Sequence, residues 1–336
     1  MLRIIFLCEK FFVNLYMKLI EFIDKFPDED SCRAKFKEYR LRVGVVCPRC
    51  KCTAHYWVGG KSQHIECKEC GYRQSLRANT VMHHSHLSFR TWFIASHLVT
   101  STKSNFSVAE IKRQLGKTSY RSVWWMVQKL RAAMGKSDNE HKLSGEVEID
   151  EAFFKLSPIE EKNSREHLTP VLVMTESVQT IDKRYKIHRK FGHLKMKVVR
   201  HITASELKYT AMKYIEESAV LRGDGTKAHN YMRSVFREVT GEILKNQSDI
   251  LRVLPWTHIC IGHSKNQIRD IYHDVTEDYL QLYLDEFCWK KNHRYCKDLF
   301  NELMFCVAKY RYVWRPINRH FDMQAYLEKH RKLFSS

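Results

Sequence analysis

The spacing of hydrophobic residues changes character near residue 140 of the chain. Before that point, apolar residues recur about every three to four positions, which is the period of an amphipathic helix. Helices are predicted from residue 18, from Phe89 after a capping Ser88, from a capping box at Ser107–Glu110, and from about Tyr120 to Met134. This pattern predicts an N-terminal helical segment at 17–45 and a second helical module at 87–135.

After a polar linker, strand-like and helix-like segments alternate along the chain. Acidic and apolar residues alternate from Glu146 to Phe154, as in a half-buried strand. Further strands are predicted at 169–174, 195–200 and 219–225, with a basic loop at 183–197 and a helix at about 205–217. The sequence therefore predicts an α/β domain at 144–312, followed by a helical tail at 313–336.

Four cysteines between these regions form two Cys-x-x-Cys pairs with sixteen residues between them. β-prone residues and the Gly59-Gly60 turn lie between the pairs and predict a short hairpin. Four thiolates at this spacing suit a tetrahedral zinc site, whereas the other reading is four ordinary core thiols. We expect a structural Zn²⁺ in a zinc ribbon at 46–80, bound by Cys47, Cys50, Cys67 and Cys70.

The charge of the chain indicates a polyanionic partner. Lys and Arg number 57 against 38 Asp and Glu, giving a formal net charge of +19, and the 44% hydrophobic content excludes a disordered or low-complexity protein. The apolar run at the start is broken by Arg3, Glu9 and Lys10, so it predicts neither a membrane span nor a signal peptide. We expect Met17 to be the natural start, mostly reduced cysteines, and a cytoplasmic, DNA-associated location.

The module at 87–135 is strongly basic and suits nucleic acid. Its short helix, Gly116 turn and longer basic helix follow the order of a helix-turn-helix, although a plain helical hairpin with a solvated basic face stays open. The predicted DNA-facing residues are Arg113, Lys117, Arg121, Trp124, Gln128, Lys129 and Arg131.

Two acidic residues lie at the ends of predicted strands in the α/β domain. Asp150 ends the acid–apolar alternation and Asp224 ends the last short strand. Carboxylates that converge from neighbouring strands bind divalent cations and support phosphodiester chemistry. The alternative is that the two are unrelated surface acids.

Several motifs together resemble an insertion-sequence transposase of the zinc-ribbon-bearing family numbered 1595. The matching stretches, in the family's order, are 26–32, both cysteine pairs, 109–116, Gly145–Glu151, Asp224-Gly225 and Tyr279–Phe287. The resemblance implies an RNase H-like catalytic domain, a mixed sheet with flanking helices, behind the ribbon and the helix-turn-helix. It also implies DNA cleavage and strand transfer that require Mg²⁺ or Mn²⁺, with Asp150 and Asp224 as the first two catalytic acids.

The third catalytic residue departs from the family's commonest pattern. Family members carry Glu, Asn or His before the Tyr279–Phe287 segment, and here the resemblance suggests His263, with Lys265 as an associated basic residue. Asp270, His258 and His273 remain alternatives. The resemblance further implies a homodimer on double-stranded DNA that holds the terminal inverted repeats and the target. The missing third carboxylate leaves open a catalytically inactive or domesticated DNA-binding protein.

Overall fold

The computed structural model describes residues 17–60, 64–102, 105–156, 168–181, 187–225, 231–242, 249, 252–272 and 275–312. The predictions for Met1–Tyr16, for His273 and for the tail at 313–336 lie outside these residues, as does the 183–186 part of the predicted basic loop.

Among the described residues before 140, five helices form close to the predicted positions: α1 (Leu19–Lys25), α2 (Glu29–Val43), α3 (Phe89–Thr100), α4 (Val108–Gln114) and α5 (Tyr120–Asp138). Ser88 caps α3 by accepting the backbone N–H of Thr91, and Ser107 caps α4 by accepting the N–H of Glu110. The turn between α4 and α5 contains Gly116 at φ 59°, a left-handed conformation that favours glycine. The predicted order of short helix, glycine turn and longer helix is therefore present.

Three short strands form an antiparallel meander between α2 and α3, where the ribbon is predicted. They are β1 (His55–Val58), β2 (His64–Cys67) and β3 (Arg73–Ser75). Trp57 pairs with Ile65, and Ile65 pairs with Gln74, so the central strand buries Ile65 between its two neighbours.

A five-stranded mixed sheet forms the second half, in the order β6-β5-β4-β7-β8. The strands are β4 (Glu146–Lys155), β5 (Leu168–Ile181), β6 (Ile187–Val198), β7 (Val220–Gly223) and β8 (Glu238–Gly241). β4 runs antiparallel to β5 and parallel to β7, while β5 and β6 are antiparallel and β7 and β8 are parallel. The predicted basic loop at 183–197 is wrong for 187–197, because these residues pair with β5 as strand β6.

Helices cover both faces of this sheet. Residues 147 and 149 of β4 face a core completed by α6 (Ala204–Tyr214), whereas residues 152 and 154 face a core completed by α7 (Pro255–Gln267) and α8 (Glu277–Asn292). This alternation along β4 is the period of two that a strand with two buried faces requires. The α/β class with a mixed sheet and flanking helices is confirmed.

The last described helix, α9 (Leu299–Lys309), packs with the N-terminal helices. Leu299, Phe300 and Leu303 are buried in one cluster with Phe36 of α2 and Trp92 of α3. The domain limits predicted at 144–312 therefore do not follow the packing, since α9 completes the helical core and not the sheet. Its strongly apolar face explains this placement, because the small N-terminal helices need an additional apolar surface to bury theirs.

A buried ion pair joins the helical module to the α/β domain. Arg131 of α5 and Glu286 of α8 are 1% and 2% exposed, and Arg131 Nε donates to Glu286 Oε2 at 2.7 Å. The guanidinium also stacks over the ring of Tyr283, 3.8 Å from its centroid.

Among the described helices, none combines the length and the apolar composition needed to cross a bilayer.

Candidate active site

Asp150 and Asp224 meet where β7 ends beside the central strand β4. Asp150 lies within β4, and Asp224 directly follows β7, which pairs with β4 in parallel. Glu148 of β4 pairs with Arg222 of β7, so two residues further along each strand Asp150 lies beside Asp224. Carboxylate oxygens of Asp150, Glu151 and Asp224 all lie within 4.8 Å of one another, a spacing that suits a divalent cation.

Glu151 belongs to this group although the sequence analysis did not select it. Neighbouring residues of a strand normally point to opposite faces, which argues against two consecutive metal ligands. Here Asp150 Oδ1 accepts the backbone N–H of Glu151 at 2.9 Å, so the carboxylate of Asp150 turns back toward the next residue. The signal available in the sequence was the consecutive pair of acids at the end of the acid–apolar alternation.

His258, an alternative for the third position, is the histidine next to the acids. Its Nε2 lies 3.1 Å from Asp150 Oδ2, and its side chain is 34% exposed. His258 occupies the first turn of α7, which packs on β4 and β5. An imidazole nitrogen at this distance from a carboxylate oxygen can share a metal ion with it.

His263 lies on a different side of the same helix. Five residues separate it from His258, which corresponds to about 140° of rotation around an α-helix. Partial burial and the nearby charge of Lys291 on α8 lower the pKa of His263. The His263 side chain is exposed, and Asp270 is exposed and paired with Arg269 at 2.7 Å.

Lys265 shares the side of α7 that carries His258. Seven residues separate the two, which is close to two full turns. The Lys265 ammonium lies 5.7 Å from the centroid of the Phe154 ring, and Phe154 projects from the same face of β4 as Asp150. The seven-residue interval places His258 and Lys265 on one side of α7, and the contact of His258 with Asp150 shows that this side faces the acids.

Glu148 fixes the start of α7 against the sheet. Its carboxylate Oε2 accepts the backbone N–H groups of Trp256 and Thr257, each at 2.9 Å. The residue is fully buried, and burial raises the pKa of its carboxyl group while the two amides oppose this. Because Leu254 offers no capping side chain, Glu148 performs the capping role from a neighbouring strand and thereby places His258 beside Asp150.

The four predicted zinc ligands converge in the small sheet. The Sγ atoms of Cys47, Cys50, Cys67 and Cys70 all lie within 4.8 Å of one another, with Cys50 and Cys67 at 3.4 Å. The backbone N–H of Cys50 lowers the pKa of Cys47, and that of Cys70 lowers the pKa of Cys67 to about 6, whereas the neighbouring thiols and burial raise the pKa values of Cys50 and Cys70. The cluster could hold a metal ion such as zinc.

The predicted DNA-facing residues have different surroundings in the structure. Lys117 and Arg121 are exposed, Trp124 is half-buried, and Arg113 is exposed but ion-paired with Glu110 at 2.6 Å. Lys129 is half-buried and donates to the backbone carbonyl of His83 at 3.1 Å.

Gln128 and Arg131 do not face solvent, contrary to the prediction. Both are buried against α8, where Gln128 donates to the hydroxyl of Tyr283 and Arg131 pairs with Glu286. The physical reason is the position of α8, which the basic pattern of α5 alone did not reveal. The two side chains join the domains of the molecule.

Asp150, Glu151, Asp224 and His258 are called the acid–histidine cluster below. Known proteins are similar to the part of the chain that contains this cluster. Residues 142–292 match the model of the ISXO2-like transposase domain. The chain is also 30% identical over 135 residues to a protein in transposable element ISH50 of Halobacterium salinarum, a match that covers 40% of this chain and 44% of that protein. The chain thus spans less than half the length of this relative. The matched segment contains β4 to β8, α6 to α8 and every member of the acid–histidine cluster, so the similarity to the ISXO2-like transposase domain, the family numbered 1595 that the sequence motifs indicate, covers the whole candidate active site.

Proposed function

We propose that the protein is a DNA transposase that cleaves the ends of its insertion sequence and transfers the cut strand to a target. The observation that carries this proposal is the cluster of Asp150, Glu151 and Asp224 on parallel strands, with His258 at 3.1 Å from Asp150. Converging carboxylates at a sheet edge bind the divalent cations that phosphodiester chemistry uses.

The strand order supports an RNase H-like architecture for the α/β domain. A three-stranded antiparallel segment, β4 to β6, is extended by β7 and β8, which are both parallel to β4. Asp150 lies on the central strand and Asp224 at the end of its parallel neighbour, so the first two catalytic acids occupy the two positions that this topology brings together.

We assign the third catalytic position to His258. We propose that Asp150, Glu151 and Asp224 hold Mg²⁺ or Mn²⁺ together with it. When bound there, a divalent ion supplies a Lewis acid for the phosphodiester and activates water or a 3′-hydroxyl. The protein's part is to hold the carboxylates close together, to orient His258 through Glu148 and α7, and to direct Lys265 from the same side of α7 toward a DNA phosphate. No covalent intermediate on the protein is needed.

The remaining modules suit recognition of double-stranded DNA. The net charge of +19 and the exposed Lys117 and Arg121 favour contact with phosphates, and α4 and α5 have the order of a helix-turn-helix. We propose that these helices and a Zn²⁺-bound four-cysteine ribbon read the terminal inverted repeats. Two ends must be held together during transposition, so we further propose a homodimer on the DNA.

Cleavage of a duplex carrying the element's own ends tests the proposal. We expect Mn²⁺ or Mg²⁺ to support cleavage by the wild type, and Asp150→Asn and His258→Ala to reduce the rate at least about 100-fold while DNA binding is retained. His263→Ala is the matched control on the same helix and should keep most of the activity, as should Asp270→Asn. Full activity of His258→Ala together with loss in His263→Ala would reverse the assignment of the third residue.

Binding of the ends without cleavage under any metal would overturn the transposase activity itself. That result would identify a DNA-binding protein that has lost catalysis. Gel-shift titrations with the same duplex separate the two outcomes, because they measure binding without depending on the acids.

A further inference from the structure

A second group of metal-binding side chains lies at the opposite end of the strands from the acids. His141, Glu176 and His193 each offer a ligand atom, and these atoms all lie within 4.8 Å of one another. Glu176 pairs with Val147 on β4, and Val147 precedes Asp150 by three residues, or about 10 Å along a strand. The group is therefore separate from the candidate active site.

The distances within this group suit a first-row divalent ion. His141 Nε2 lies 3.4 Å from Glu176 Oε1, and His193 Nδ1 lies 3.1 Å from Glu176 Oε2. Two ligands about 2.0–2.1 Å from a tetrahedral Zn²⁺ are about 3.3–3.4 Å apart. The three side chains already have nearly the spacing that a shared ion would require, and the two imidazole centroids are 4.2 Å apart.

Backbone N–H groups orient the carboxylate of Glu176, as hydrogen bonds commonly orient metal ligands in proteins. Oε1 accepts the N–H of Ser144 at 3.0 Å, and Oε2 accepts the N–H of His193 at 2.9 Å. Each carboxylate oxygen has a second lone pair for another partner. Such hydrogen bonds hold a ligand in position before the ion arrives.

A β-bulge places Glu176 and His193 together. Thr175 pairs with Leu194 and Ser177 with Phe191, so Gly192 and His193 of β6 together oppose the single residue Glu176 of β5. Bulges of this kind redirect side chains and are common at functional positions. The bulge requires glycine at position 192, because a Cβ at Gly192 would lie 2.5 Å from the Cβ of Glu176 and 2.7 Å from its Oε2.

His141 reaches this bulge from the segment that joins the two halves of the molecule. It follows α5, whose last residue is Asp138, and precedes β4, which begins at Glu146. Its side chain is 45% exposed, and that of His193 is 43% exposed, so both are accessible to an ion from solvent. An ion bound here would tie the interdomain connection to the β5–β6 bulge.

We propose that His141, Glu176 and His193 form a second, structural zinc site that fastens the connection between the helical module and the sheet. Two imidazoles and one carboxylate are typical Zn²⁺ ligands, and water would complete the tetrahedron. Mg²⁺ and Ca²⁺ prefer oxygen ligands and are poor candidates for a site with two nitrogens. This site is independent of the proposed transposase activity.

Cobalt(II) titration of the full chain tests the site. The protein carries Zn²⁺ in the cysteine cluster and the substitutions Asp150→Asn, Glu151→Gln and Asp224→Asn, which remove the carboxylates of the candidate active site. We expect one saturable equivalent of Co²⁺ with visible d–d absorption and without the near-ultraviolet charge-transfer band of cobalt thiolates. Adding His141→Ala or His193→Ala should weaken this binding at least about tenfold, whereas the exposed His201→Ala should not change it.

Thermal unfolding provides a second measurement on the same proteins. Added Zn²⁺ should raise the Tm of the parent protein of the Co²⁺ titration and leave that of its His193→Ala variant unchanged, because only binding to the folded state shifts the equilibrium. Both histidines are largely exposed, so these variants should still fold, whereas Glu176→Ala would also leave two backbone amides unpaired. Absence of a Co²⁺ equivalent, or equal binding by both histidine variants and the parent, would overturn the proposal and leave a hydrogen-bonded cluster.

Discussion

Replacing Glu148 tests whether the position of α7 depends on one buried carboxylate. Glu148 Oε2 accepts the N–H groups of Trp256 and Thr257, which are the second and third residues of α7 and have no acceptor within the helix. Alanine would leave both amides without this partner. Since each unsatisfied buried group costs about 1–3 kcal/mol, we expect Glu148→Ala to reduce the free energy of unfolding by about 2–6 kcal/mol.

Glutamine at the same position should be much less disruptive. Its carbonyl oxygen can accept the same two amide N–H groups, and a neutral amide avoids the burial of charge that raises the pKa of Glu148. We therefore expect Glu148→Gln to change the free energy of unfolding by less than about 1 kcal/mol. Glu238→Ala, at an exposed position of β8, serves as the control and should stay within about 0.5 kcal/mol of the wild type.

Denaturant unfolding combined with hydrogen exchange measures both parts of this prediction. The peptide that contains Trp256 and Thr257 should exchange faster in Glu148→Ala than in the wild type, and DNA cleavage should fall because His258 is no longer held 3.1 Å from Asp150. If Glu148→Ala unfolds like Glu238→Ala and its α7 amides remain equally protected, the carboxylate does not anchor the helix. The account of how His258 is positioned would then be refuted.

Two further predictions concern the contact between the helical module and the α/β domain. Arg131→Ala should reduce the free energy of unfolding by about 3–5 kcal/mol, because it removes the nearest cation from the buried carboxylate of Glu286 and leaves it with Lys290 at 3.6 Å and the hydroxyl of Tyr272. An Arg131→Met/Glu286→Leu double variant should lose much less, and equal losses in denaturant melts would contradict this. Burial raises the pKa of Asp138 to about 7, so between about pH 4 and pH 7 the folded protein keeps a proton that the unfolded chain releases. The free energy of unfolding should therefore fall as the pH rises from about 4 to about 7. Asp138→Asn should flatten that dependence, and melts of both proteins across this range measure it.

Local sequence rules predicted the parts of the fold that depend on local structure. Capping residues such as Ser88 and Ser107 fixed helix starts, and alternation along Glu146–Phe154 located the central strand. The cysteine spacing indicated a cluster whose four sulfurs do converge. These features are encoded within a few residues of one another, so no knowledge of distant contacts was needed.

Features that depend on distant packing were missed. Arg131 follows the basic pattern of α5, but its pairing with Glu286 across 155 residues makes it a core residue. The charge pattern of 183–197 suggested a loop, although pairing with β5 makes most of it a strand. His263 and His258 could not be ranked until the contacts of α7 with β4 and α8 were known, because a helix start does not specify which side faces a neighbouring strand.

The composition of the acid–histidine cluster bears on the proposed chemistry. A histidine in the third position removes one negative charge relative to three carboxylates, which was the main reason to consider an inactive protein. Glu151 contributes a carboxylate within 4.8 Å of Asp150 and Asp224, so the cluster still contains three acids in addition to His258. Imidazole binds Mn²⁺ more readily than Mg²⁺, whereas the carboxylates accept both ions. In the proposed site Glu151 therefore supplies a third carboxylate beside Asp150 and Asp224, which retains the negative charge that holds divalent cations, and His258 favours Mn²⁺ over Mg²⁺.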